Sequence, residues 1–70
     1  MMFRNYEYFV AIAEAGSLTR AAEILYVSQP SRSQYLRPLE SELGVELFNH
    51  RTSPLKLTYT GERYYESVKQ

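Results

Sequence analysis

Seventy residues with eight basic and eight acidic side chains make one small, formally neutral domain, near the lower limit at which a lone apolar core suffices. A hydrophobic content of 44%, including seven tyrosines and three phenylalanines, marks a chain that folds rather than stays disordered. The absence of cysteine excludes disulfides and thiolate metal sites, a single histidine (His50) makes no metal site alone, and no cofactor is expected.

In chain order, Phe3, Tyr6, Val10 and Ala13, flanked by Phe9 and Ile12, follow helical spacing until Gly16 stops the run. Ser17 is an expected N-cap for a second helix whose apolar face is Leu18, Ala21, Ala22 and Leu25. "YVSQP" then interrupts the period. Ser28 can cap a third helix with Pro30 in its first turn, where a missing N–H is harmless. Leu36, Leu39 and Leu43 supply its buried side, and Gly44 ends it.

Pro38 falls inside that third helix, where it removes the N–H meant for the Gln34 carbonyl. It suits the first turn of a new helical piece, with Glu40 and Glu42 near the positive end. A kinked but continuous helix is expected, with residues 29–37 as its outward half and 39–43 as its anchor. Residues 46–48 and 55–58 form a small hairpin around a polar tip containing Pro54. Alternation in "LKLT" puts Leu55 and Leu57 on one side and Lys56 on the other. Thr58 caps a last helix with Glu62 near its start and an apolar stripe of Tyr64, Tyr65 and Val68. No stop signal precedes Gln70, so a longer natural protein is expected.

Neutral net charge argues against a strong non-specific nucleic-acid binder, but its distribution matters more. Residues 24–39 contain no carboxylate and carry Arg32 and Arg37. Residues 47–61 are equally free of acids and carry His50, Arg51 and Lys56. A fold that joins these windows makes one positive face.

Three helices, a hairpin and a further helix describe a mainly α winged helix-turn-helix, with a small two-stranded wing. The Ala21–Ala22 pair is expected to let the second helix pack closely on the third, whose N-terminal half then projects outward. The residues also resemble a known family. "AEAGSLTRAAEIL", "VSQP", "LESELGVELF" and "LT", followed by a glycine, look like the N-terminal DNA-binding domain of LysR-type transcriptional regulators across nearly the whole chain. The resemblance implies residues 1–58 as the DNA-binding domain, with the helix-turn-helix over about 18–37. Residues 59–70 begin a linker helix, truncated here, whose stripe of Tyr64, Tyr65 and Val68 serves dimerisation. It also implies a homodimer or tetramer and a separate effector-sensing domain absent from this chain.

Three departures from the family pattern stand out. Arg32 stands where an apolar residue is usual, Gln34 where arginine is common, and His50 and Ser53 where wing arginines fall, with Arg51 displaced by one. Ser28, Gln29, Pro30 and Ser33 match the family's DNA-contacting positions. A glutamine at position 34 can pair bidentately with adenine where arginine favours guanine.

The candidate DNA-binding residues are therefore Ser28, Gln29, Pro30, Ser31, Arg32, Ser33, Gln34, Arg37, Arg51 and Lys56. Each has a plainer alternative. Capping explains Ser28, a solvated surface charge explains Arg37, and a partly buried stem explains Arg32. Gln29 beside a first-turn proline has no core to serve. The expected function is sequence-specific binding of double-stranded DNA in the cytoplasm, and the alternative is a winged-helix module for protein–protein assembly. No paired-carboxylate pocket, nucleophile–base pair or phosphate loop points to an enzyme. No apolar run reaches membrane-span length, and no signal-peptide pattern is present.

Overall fold

The computed structural model describes residues 5–69. Its elements are α1 (Asn5–Ala15), α2 (Leu18–Leu25), α3 (Leu36–Leu43), β1 (Phe48–Asn49), β2 (Lys56–Leu57) and α4 (Tyr59–Lys69). The two strands pair antiparallel, Phe48 opposite Leu57 and Asn49 opposite Lys56. The hairpin is thus shorter than the apolar pattern of 46–48 and 55–58 implied.

Local chemistry sets most boundaries. Gly16, at φ +74°, turns the chain out of α1, and its N–H donates to the Ile12 carbonyl at 2.7 Å. Ser17 is extended and its hydroxyl accepts the Arg20 N–H at 3.1 Å, capping α2. Gly44 ends α3 at φ +76°, while the Val45 N–H reaches back to the Glu40 carbonyl at 3.2 Å. α2 ends the same way, but its left-handed residue is Tyr26 (φ 59°), which is 94% exposed. The Thr58 hydroxyl accepts the Gly61 N–H at 2.9 Å and so caps α4 as the spacing implied.

The core is built from Tyr8, Phe9 and Ile12 of α1, Leu18, Ala21 and Ala22 of α2, Leu36 of α3, and Leu47, Phe48 and Leu55 of the wing. Phe9 sits at its centre, with ring centroids 5.5 Å from Phe48 and 5.0 Å from Tyr64. Burying such a side chain contributes roughly 1.5–3 kcal/mol. The α1 face differs from the expected one: Tyr6 is exposed and Val10 and Ala13 are half-buried, while Phe3 lies outside the described residues. Nearly every position from 6 to 13 is apolar, so periodicity alone could not select the stripe. α2 packs mainly on α1, and Ala21 and Ala22 lie in the same buried cluster as Leu36 of α3.

The third helix is the main correction. Regular helix starts at Leu36; residues 28–31 are irregular and 32–35 form a turn. Ser28 is exposed and does not cap, and Pro30 is not in a helical first turn. Pro38 is instead the third residue of α3, where a backbone N–H has no intrahelical partner to lose. Leu36 is buried and Leu39 half-buried, but Leu43 is 41% exposed.

Candidate nucleic-acid interface

The segment between α2 and α3 is held by its own side chains. The Ser31 hydroxyl accepts the Gln34 N–H at 3.2 Å, and Gln34 Oε1 accepts the Ser31 N–H at 2.9 Å. This reciprocal pair is a capping box, and such caps typically contribute about 1 kcal/mol. The Gln34 and Tyr35 N–H groups also reach the Ser31 carbonyl, both at 3.0 Å. Ser31 therefore caps the 32–35 turn, whereas α3 itself begins after Tyr35 with no side-chain cap, and Ser28 caps neither.

Around this turn the other candidates are exposed, except Pro30, which is half-buried. The Thr19 hydroxyl donates to Gln29 Oε1 at 2.9 Å, tying the irregular segment to the start of α2. Arg32 does not rise from a partly buried stem. It is exposed, and its Nη1 donates to the His50 carbonyl at 3.2 Å, joining the turn to the wing. Thr19, Gln29 and Arg32 share a groove of about 310 Å³ with Thr52 and Ser53 of the wing tip. The two sequence windows free of acids are thus neighbours in space.

Acids from outside those windows intrude. Arg37 Nη1 lies 3.8 Å from Glu40 and 3.7 Å from Glu46. His50 is not a wing-tip charge: its side chain is 9% exposed and its Nε2 meets Glu40 at 2.8 and 3.0 Å. Glu40 Oε2 also accepts the N–H groups of Leu47 and Phe48 at 2.8 and 3.1 Å, fixing the strand that enters the wing. Among the described residues Arg32, Arg51 and Lys56 are in no ion pair. Arg51 and Lys56 line a groove of about 690 Å³ with Arg37, Asn49, His50 and the acidic Glu46.

Sequence reasoning missed Glu40 and Thr19. Glu40 carried a signal, since it sits four residues after Leu36 and three before Leu43, a carboxylate on an apolar helical face. Thr19 carried none, because its partner is ten residues away across an irregular segment. Tyr64, Tyr65 and Val68, expected at a dimer interface, are half-buried against this chain's own core. The Tyr65 hydroxyl donates to Glu14 Oε2 of α1 at 2.8 Å.

Three helices, a small hairpin and a following helix, with an exposed capped turn beside the hairpin, define a winged helix-turn-helix protein. The profile described as "Bacterial regulatory helix-turn-helix protein, lysR family" matches residues 3–62, and the chain belongs to that family. It is 46% identical over 68 residues to the HTH-type transcriptional regulator BudR of Klebsiella aerogenes, covering 97% of this chain and 48% of that protein. To the HTH-type transcriptional regulator TcbR of Pseudomonas sp. (strain P51) it is 39% identical over 70 residues, 100% of this chain and 24% of that protein. The chain thus spans half or less of these relatives.

Among solved structures, the BenM DBD in complex with benA site 1 DNA superposes with a TM-score of 0.83 at 39% identity, covering 96% of this chain and 75% of that one. The CbnR DBD–DNA complex gives 0.82 at 40% identity, covering 99% and 79%.

Proposed function

We propose that this chain binds double-stranded DNA sequence-specifically as the N-terminal domain of a LysR-type transcriptional regulator. Residues 1–58 form the DNA-binding unit, and 59–70 begin a linker helix through which Tyr64, Tyr65 and Val68 contribute to dimerisation. Residues 29–37 face the major groove, and the wing rests on phosphates or the adjacent minor groove. Gln29 and Gln34 face base edges, Pro30 makes apolar contact, and Ser28, Ser31 and Ser33 lie alongside. Arg32, Arg37, Arg51 and Lys56 meet phosphates. The protein is a cytoplasmic regulator rather than an enzyme, its two copies read two half-sites, and a small-molecule effector binds a C-terminal domain beyond this chain.

The observation that carries this reading is that exposed Gln29 and Arg32 line one groove with Thr52 and Ser53 of the wing, while Arg32, Arg51 and Lys56 have no carboxylate partner among the described residues. A salt titration of duplex binding tests it. The logarithm of affinity falls with the logarithm of salt at a slope of roughly −0.9 per phosphate contacted. Replacing Arg51 and Lys56 together with alanine makes that slope shallower by about 2 and weakens all sequences alike. Salt-independent binding would favour the protein–protein assembly reading instead.

A further inference from the structure

We infer that Gln34 reads DNA as a hydrogen-bond donor and selects guanine over adenine at the base it faces, an inference that rests on the DNA-binding reading above. A primary amide carries one acceptor and one donor group, and their roles here are fixed by chemistry. The Ser31 backbone N–H can only donate, so the Gln34 atom 2.9 Å from it is the carbonyl oxygen. The Gln34 backbone N–H in turn donates to Ser31 Oγ, which closes the box and holds the side chain folded back on its own turn. The amide nitrogen is left as the end of an exposed side chain that can meet a ligand.

Adenine recognition by glutamine needs both ends of the amide on one base edge: the oxygen accepts from N6 while the nitrogen donates to N7. Here the oxygen is already committed to Ser31, and bringing it to adenine forfeits the cap. With the cap kept, the amide N–H2 can donate one hydrogen to adenine N7, but its second hydrogen then meets adenine's own N6 donor. Guanine presents O6 and N7, both acceptors, and leaves the cap intact. The adenine preference that glutamine suggests in isolation is therefore reversed by the residue three positions earlier.

The test is selection of bound sites from a random duplex library by the protein, by Gln34→Ala and by Gln34→Glu. Comparison with Gln34→Ala identifies the base pair whose preference depends on residue 34. Wild-type protein is expected to favour guanine there over adenine by at least about five-fold, the lower end of what one good base contact discriminates. Glutamate still accepts the Ser31 N–H and so keeps the box, but it has no donor. Gln34→Glu is expected to lose guanine and turn to cytosine, whose N4 amine donates, with an unchanged melting temperature.

Adenine at that position, or identical preferences for wild type and Gln34→Ala, overturns the inference while leaving DNA binding in place. Loss of salt-dependent binding by every form overturns the reading beneath it. The wild-type preference alone decides the matter if Gln34→Glu does not fold.

Discussion

At the scale of single residues, the Glu40 carboxylate has the most to lose. It is 5% exposed and accepts two backbone N–H groups, those of Leu47 and Phe48, besides meeting His50. Deleting it leaves both donors buried and unpaired, each costing about 1–3 kcal/mol. Glu40→Ala is expected to lose about 3 kcal/mol or more in denaturant unfolding. A loss below about 1 kcal/mol would mean that water replaces the carboxylate at no cost. Gly61 makes a steric counterpart. A Cβ built on it would lie on the Leu47 carbonyl oxygen, so α4 docks against the wing strand only through a bare Cα. Gly61→Ala therefore costs about 3 kcal/mol, readable as a fall in melting temperature of more than about 10 °C. The glycine after "LT" was visible as a motif, but its cause was not: the clash is with a residue fourteen positions earlier. Caps such as Ser17, Gly44 and Thr58 were legible because their partners lie within four residues.

At the scale of elements, Pro38 turns on where a helix begins. Within a continuous third helix it would cost about 3 kcal/mol, and its replacement by alanine should stabilise strongly. As the third residue of α3 it forfeits no intrahelical bond. The Arg37 and Leu39 N–H groups already bond the Arg32 and Tyr35 carbonyls of the turn at 2.8 and 3.3 Å. Pro38→Ala would add a backbone N–H at position 38 to these, contributing about 0.5–1.5 kcal/mol. The same change loosens the unfolded chain, which costs about 0.4–1 kcal/mol. The two nearly cancel. Circular dichroism should therefore show about one more helical turn, with unfolding free energy changed by less than about 1 kcal/mol. A gain near 3 kcal/mol would place Pro38 inside a helix after all. The proline itself was legible. Its consequence was not, because the capping box at Ser31 and Gln34 offered the chain a way to turn before α3 begins.

At the scale of the whole molecule, charge was read along a line but acts in space. The windows free of acids do meet, through Arg32 and the His50 carbonyl, yet Glu40 and Glu46 arrive beside Arg37 from outside them. The approach of Glu40 to Arg37 is a local i,i+3 pair, but the pairing of Arg37 with Glu46 crosses the end of α3 and local sequence could not foresee it. Besides the Arg32 bond to the wing, the 32–35 turn is tied to the rest by aromatic packing. Tyr35 packs edge-on against Tyr8 at 4.8 Å, and the Tyr8 hydroxyl donates to the buried Leu18 carbonyl at 3.0 Å. Burial pushes both phenols above their ordinary value of 10.0. Below that value both states hold the protons and stability is indifferent to pH. Above it the unfolded chain loses protons that the folded one keeps, so stability falls as pH rises. Each tyrosine held neutral removes up to about 1.4 kcal/mol per pH unit in that range. Chemical unfolding from about pH 8 to about pH 11 should therefore stay level and then decline, with tyrosinate absorbance from Tyr8 and Tyr35 appearing only as the protein unfolds. Tyr35→Phe removes one of the two phenols and should make the decline shallower. An equally steep decline in that variant would mean that Tyr35 ionises freely in the folded protein, and that the turn presenting Gln34 is not anchored through it.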